Sequence, residues 1–341
     1  MKGSDRPLCE AYDVALLDLD GVVYIGRRPV PAAAEAVAKA RAAGQRAAFV
    51  TNNASRTPSA VASLLTEVGV PAAPDDVVTS AQAAARLLAE RLPAGAEVLV
   101  VGGMGLRHAL YGEGLRPVSV ESERTAAVVQ GYDPRLGYGL LAQGGRAVAR
   151  GALFVGSNGD LTIPGGDGPP NPGNGSLLRV IEGATGVAPI VTGKPERPLH
   201  RESIRRTGAR RPLVVGDRLD TDIEGARNGG ADSLLVFTGV TDPLGVLTAP
   251  PNRRPSYLAP DLTGLLVPHP EVAVSGDGHR CGGWTVRRDG DAFGVTGTGD
   301  AYDGLRALAS AAWTTSAPPP AEALAGALRA VGLAGRRRET G

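Results

Sequence analysis

The sequence predicts an α/β protein: a doubly wound parallel sheet, interrupted by an inserted α/β domain and followed by a small α+β appendage. Four short apolar runs each end in polar residues and lead into helix or turn signals. Helical stretches accompany the first two runs. About 160 residues then separate the second run from the third, far more than a crossover connection needs.

The runs are Val14-Ala15-Leu16-Leu17-Asp18, Ala47-Ala48-Phe49-Val50-Thr51, Leu213-Val214-Val215-Gly216-Asp217 and Ser233-Leu234-Leu235-Val236-Phe237. Apolar runs without alternation suit strands covered on both faces, as in a parallel sheet flanked by helices. Pro31 to Ala43 is alanine-rich, opens on proline and stops at Gly44; Pro58 to Val68 does the same and stops at Gly69. Strand, helix and strand in that order imply right-handed crossovers and an open sheet.

Within the insertion, Glu97 to Val101, Thr125 to Gln130 and Leu153 to Gly156 read as strands, with helical patterns around Arg107 to Tyr111 and Gly139 to Arg150. Such a domain is expected to cap the carboxyl edge of the main sheet. Asn158 to Gly175, dense in glycine and proline, reads as the return path. After Tyr257 the composition changes. Pro268-His269-Pro270 reads as a linker, Val272 to Val295 as a hairpin or small sheet, Tyr302 to Trp313 as a helix and Ser316 to Pro320 as a proline-rich hinge, and no internal repeat is present. The expected division is residues 1–80 and 177–268 for the core, 81–176 for the cap and 269–341 for the appendage.

A length of 341 residues exceeds one ordinary core, and 43% apolar with 21% charged residues excludes disorder across most of the chain. A net charge of +1 gives no global field for nucleic acid or an anionic membrane, and the basic run Arg336 to Arg338 reads as a solvated tail. Met1 to Asp13 lacks the features of a signal peptide, and no apolar run reaches membrane-spanning length. Cys9 and Cys281 lie far apart and flank no metal-ligand spacing, which favours free thiols in a reducing compartment. A cytoplasmic protein with neither nucleic-acid nor membrane partners is expected.

Doubly wound sheets bind ligands beyond the carboxyl ends of their strands, and Asp18, Thr51 and Asp217 fall at three such ends. Asp18-Leu19-Asp20-Gly21 places two carboxylates one residue apart where a strand enters a glycine turn. Burying like charges together is costly unless a cation or protons compensate; alternatively, these are ordinary loop residues. Gly216-Asp217-Arg218-Leu219-Asp220-Thr221-Asp222 follows another apolar run, and its three carboxylates suit a hard, oxygen-ligated ion such as magnesium. Asp220 has a second reading as the cap of a helix starting near Thr221.

Lysine occurs only at Lys2, Lys39 and Lys194 in a chain that otherwise writes arginine. An interior lysine in Thr192-Gly193-Lys194-Pro195 therefore points to a need for an ammonium, against the plain alternative of a surface lysine. Thr51-Asn52-Asn53 adds a hydroxyl and backbone amides suited to phosphoryl oxygens. Val98 to Gly105 imitates a dinucleotide fingerprint, but His108 stands where the third glycine belongs, and a tight turn is the better account. The four histidines are scattered, so neither a histidine metal site nor a Ser-His-Asp triad has support.

Asp18-x-Asp20-Gly-Val-x-Tyr24, Val50-Thr51-Asn52-Asn53, Gly193-Lys194-Pro195 and Gly216-Asp217-Arg218-x-x-Thr221-Asp222 resemble, in order, the four signature motifs of the haloacid dehalogenase superfamily. The variant is similar to its 4-nitrophenylphosphatase and phosphoglycolate phosphatase branch, over roughly Val14 to Ala259. The resemblance implies a magnesium-dependent phosphatase. Asp18 would be the nucleophile that becomes an aspartyl phosphate, and Asp20 the general acid and base. Magnesium would be held by the Asp18 carboxylate, the Asp20 carbonyl and Asp217, with Asp222 behind them; Thr51, Asn52 and Lys194 would hold the phosphate. Asn158 and Asp160 match an Asn-x-Asp feature of the branch and are candidates for substrate contact, with turn formation as the equal alternative.

The appended carboxyl-terminal segment resembles that of bacterial glycerol 3-phosphate phosphatases, in which it is similar to an acetyltransferase fragment. That ranks glycerol 3-phosphate first, 2-phosphoglycolate second, and sugar or nucleoside monophosphates after them. Dimerisation through the cap is a feature of the branch. A reading of another class is a non-catalytic scaffold whose appendage recruits a partner.

Overall fold

Val14–Leu17 pairs in parallel with Pro212–Gly216, Leu17 lying opposite Val215. Asp232–Val236 extends the ladder from Pro212–Gly216, and Tyr257–Ala259 extends it again. Successive strand residues point to opposite faces, yet Leu16, Leu17, Leu234 and Leu235 are all at most 2% exposed. Both faces of these strands are therefore covered, as the unbroken apolar runs predict. Because the pairing is parallel and nearly in step, the residues that follow Leu17 and Val215 emerge at one edge.

The computed structural model describes residues 1–165, 168–315, 317 and 319–333. The basic run Arg336 to Arg338, and Ser316 and Pro318 of the proline-rich hinge, lie outside the described residues. Contacts divide the chain into two units, Met1–Ala47 with Arg210–Gly341, and Ala48–Ala209. Among the described residues no helix is long and apolar enough to cross a membrane.

The first unit also contains the appendage. Ala273–Ser275, Gly278–Cys281, Trp284–Asp289 and Ala292–Gly297 form an antiparallel sheet, and Ala301–Ala312 and Ala321–Ala330 are helices. Cys281, Trp284, Val286, Leu305, Leu308, Leu324 and Leu328 join Ile223, Leu235, Val246, Leu247 and Leu258 in one buried cluster. The appendage thus shares a core with the sheet rather than trailing from it. The expected linker is pinned as well: His269 is 2% exposed, and its backbone exchanges hydrogen bonds of 2.8 and 2.9 Å with Ser4.

In the second unit, Phe49 to Thr51 of the strand Arg46–Thr51 pairs with Val77–Thr79. A separate parallel sheet runs in the order Ile190–Val191, Leu153–Gly156, Thr125–Gln130, Glu97–Val101, Arg116–Val118. Alternation along its strands sorts two cores: Val98, Val100 and Val129 pack with Leu106, Leu110 and Leu88, while Leu99, Val101, Val128 and Phe154 pack with Ala147, Leu178 and Ile181. The expected return path differs. Asn158 to Gly175 contains the antiparallel strands Thr162–Gly165 and Gly168–Pro172 and the start of the helix Asn174–Thr185. Proline is tolerated on such an exposed edge strand, where missing donors cost no ladder bond. Ile190–Val191 then rejoins the inserted sheet, so that sheet runs past the expected cap limit at residue 176.

Candidate active site

In the first unit, Asp18 continues the strand Val14–Leu17, its N–H donating to the Val215 carbonyl at 2.8 Å. One carboxylate oxygen from each of Asp18, Asp217 and Asp222 lies within 4.8 Å of the others. Asp217 and Asp222 are each 1% exposed. Three carboxylates held this close, two of them fully buried, repel one another unless a cation compensates, and an all-oxygen donor set is what magnesium prefers. The residues present therefore fit the ion. Asp20 is exposed, and its carboxylate lies outside the group.

The backbone is shaped to these acids. Gly21 adopts φ +83°, and a Cβ there would stand 2.5 Å from Asp217 Oδ2; only glycine meets both demands. A Cβ on Gly239 would stand 2.0 Å from the same oxygen. The Val240 N–H donates to Asp217 Oδ2 at 2.6 Å, the Thr241 N–H donates to the Asp217 carbonyl at 3.1 Å, and the Thr238 hydroxyl donates to the Gly21 carbonyl. Asp222 Oδ2 accepts from the Arg218 N–H at 3.2 Å. Asp220 does not cap a helix. Arg218 grips it with bonds of 3.0 and 2.8 Å, and although burial pushes its carboxyl pKa up, Arg218 and then Arg253 bring it below the ordinary value.

In the second unit, Asn52 ties three distant stretches together. Its Oδ1 accepts from the Lys194 N–H at 2.7 Å, and its Nδ2 donates to the Lys194 carbonyl at 3.1 Å and to the Asp160 carboxylate at 3.1 Å. Its own carbonyl accepts from Asn158 Nδ2 at 2.8 Å and from the Ser80 hydroxyl. The Asn52 side-chain amide is thus engaged inside the protein, while the phosphate contact expected of the Thr51-Asn52-Asn53 stretch is through its hydroxyl and backbone amides. Asn158 is 4% exposed, and its Oδ1 accepts from the Asp160 N–H at 3.2 Å, the turn-forming alternative. Asn174, which the sequence reading passed over, closes the bracket by donating to the Asn158 carbonyl at 2.8 Å. Around this frame sit Thr51, 6% exposed, whose hydroxyl accepts from the Asn53 N–H at 3.1 Å, and Lys194, whose Nζ donates to the Val50 carbonyl at 3.2 Å.

The sequence reading also missed Thr238, Gly239 and Val240. Their signal was present, since Thr238-Gly239 follows the fourth apolar run at the edge where Asp18 and Asp217 emerge.

An acidic oxygen-donor set at the carboxyl edge of a parallel sheet makes this an α/β protein with a candidate divalent-cation site where such folds bind ligands. Residues 15–116 match the model of the haloacid dehalogenase-like hydrolases, residues 191–265 a second model of such hydrolases, and residues 281–333 a GCN5-related N-acetyltransferase-like domain. The chain is 43% identical over 321 residues to D-glycerol 3-phosphate phosphatase of Mycobacterium tuberculosis, covering 92% of this chain and 89% of that protein. It is 39% identical to the 5'-nucleotidase YutF of Bacillus subtilis, covering 68% of this chain and 90% of the relative. The crystal structure of the glycerol phosphate phosphatase of M. tuberculosis in complex with magnesium superposes with a TM-score of 0.87 at 41% identity, covering 96% of this chain and 99% of that one. The chain belongs to the haloacid dehalogenase-like hydrolases, among their magnesium-dependent phosphatases.

Proposed function

We propose that this chain hydrolyses glycerol 3-phosphate through an aspartyl phosphate on Asp18. One observation carries the choice of substrate. The match to D-glycerol 3-phosphate phosphatase runs over 321 residues, more than the 268 that precede the appendage, so it continues into the part of the chain that sets this protein apart from a bare capped core.

The Asp18 carboxylate attacks phosphorus, and the glycerol oxygen leaves with a proton from Asp20. Water then attacks the aspartyl phosphate and gives its proton to Asp20, releasing phosphate and restoring Asp18. Thr51 and Lys194 bind the transferred phosphoryl group, with Asn52 holding Lys194 and Asp160 in place. Asp18, Asp217 and the Asp20 carbonyl would hold magnesium, with Asp222 behind them, and the bound ion would offset the repulsion between an anionic nucleophile and an anionic phosphate.

In this reading residues 1–80 and the stretch from about 192 to 268 are the catalytic core, the insertion between them is the cap that sets specificity, and residues 269–341 are the appendage. The protein works in the cytoplasm, a reading supported by two buried free cysteines. It forms a homodimer through the cap, supported by the exposed Tyr111 and Tyr138 there.

The test is phosphate release from glycerol 3-phosphate, 2-phosphoglycolate, a sugar phosphate and a nucleoside monophosphate. The expected order puts glycerol 3-phosphate first by kcat/KM, and equal rates across the panel would overturn the choice. Activity should vanish with EDTA and return with magnesium.

A further inference from the structure

We propose that the carboxyl-terminal appendage positions the metal carboxylate Asp217, with Tyr302 as the residue that transmits its support. The inference rests on the reading of Asp217 as a magnesium ligand.

Three hydrogen bonds from one segment set the acidic loop. Thr238 donates to the Gly21 carbonyl, Val240 to Asp217 Oδ2 at 2.6 Å and Thr241 to the Asp217 carbonyl at 3.1 Å. A clamp of this kind is only as firm as its ends.

Both ends rest on the appendage. Phe237, immediately before Thr238, packs its ring on Tyr302 at a centroid distance of 5.5 Å. Tyr302 opens the helix Ala301–Ala312, whose amino end is fixed by Asp300: its Oδ1 accepts from the Tyr302 N–H at 2.7 Å and its carbonyl from Trp284 Nε1 at 2.8 Å. After the clamp comes the short helix Pro243–Leu247, where the Val246 carbonyl accepts from Trp313 Nε1 at 3.0 Å. Trp313 is held in turn by Arg254, which stacks 5.1 Å above its ring. Ile223, next to Asp222, belongs to the buried cluster shared with the appendage, and the nearby Leu219 packs against it. The appendage therefore packs against the segments that flank Asp217 and Asp222, while among the described residues none of its side chains is in the acidic group.

Magnesium binding by the full-length chain tests this, read by isothermal titration with magnesium chloride alone. Tyr302→Ala should weaken affinity about tenfold, as loss of support behind a ligand typically does, and should raise by a similar factor the magnesium concentration that half-activates phosphate release. Tyr302→Phe keeps the ring and should restore both. A merely structural role would lower Tm but leave the affinity of the folded protein unchanged, which overturns the inference. If Tyr302→Ala does not fold, Tyr302→Leu, which keeps apolar bulk but loses the ring stack, decides by the same criterion. Failure of the wild-type chain to bind magnesium would overturn the metal reading itself, a result distinguishable from equal affinity in wild type and variant.

Discussion

Asp18 is tested most directly by a change that keeps its shape. Asp18→Asn preserves size and the backbone bond to Val215, so the fold should stand while the anionic nucleophile is gone. Turnover should fall by about a thousandfold or more, in line with the loss of a covalent nucleophile, while the thermal midpoint without magnesium should be no lower than that of the wild type, because one of three mutually repelling charges is gone. Near-normal phosphate release would show that the nucleophile lies elsewhere and reopen the non-catalytic reading. Asn52 makes a complementary case because its amide holds Lys194 and Asp160 together. Asn52→Ala leaves those groups without these partners, at a cost of about 1–3 kcal/mol in stability. Displacement of Lys194 should also lower activity by roughly tenfold to a hundredfold. A variant that loses stability alone, with activity per folded molecule intact, would show that the bracket does not serve catalysis. The residue types at Asp18, Asp217 and Asp222 were readable because a chain rarely clusters acids at buried strand ends without a reason. The service of Asn52 was not, since an amide after a strand looks the same whether it faces a ligand or a loop 142 residues away.

At the scale of elements, apolar runs such as Leu213 to Val215 announced themselves because burial on both faces removes every polar residue from the pattern. The strands Thr162–Gly165 and Gly168–Pro172 were hidden for the opposite reason: glycine and proline on an exposed edge carry turn signals although the backbone is extended. The supposed linker at His269 hid an interaction that only the fold creates. His269 Nε2 donates to the Gly264 carbonyl at 2.8 Å, and Nδ1 accepts from the Arg306 guanidinium at 3.2 Å, so the ring is neutral with its proton on Nε2. Burial first, and the Arg306 charge after it, hold its pKa below the ordinary 6.5 despite the Gly264 bond. A depressed histidine binds its proton more readily when unfolded. Its share of stability is therefore complete above about pH 6.5 and declines as pH falls through that value toward the folded pKa. His279 and His200 are shifted the same way by burial. Thermal midpoints should drop as pH falls below about 6.5, and His269→Gln should flatten that slope without abolishing it. Parallel slopes for variant and wild type would remove His269 from the account.

For the whole molecule, the outline of a sheet, an insertion and a small terminal module was legible from run lengths and composition, but the union of module and sheet was not. Sequence spacing says nothing about which faces meet, and the prolines around His269 suggested separation. The cluster that joins Leu235, Val246, Leu247 and Leu258 to Trp284, Leu305 and Leu308 makes the appendage part of the first unit's core. Ending the chain at Val267 would uncover that face and leave Arg306, 6% exposed in the intact protein, absent from its bond to the Leu258 carbonyl. Each large apolar side chain so exposed forfeits about 1.5–3 kcal/mol, and several together exceed the whole stability margin of an ordinary domain, about 5–15 kcal/mol. The truncated chain should therefore be poorly soluble, bind a hydrophobic dye and show no cooperative melting transition. If it is instead monodisperse, melts cooperatively and hydrolyses glycerol 3-phosphate at the full-length rate, the appendage is a separable module, and its role must be sought in a partner it recruits rather than in the sheet it covers.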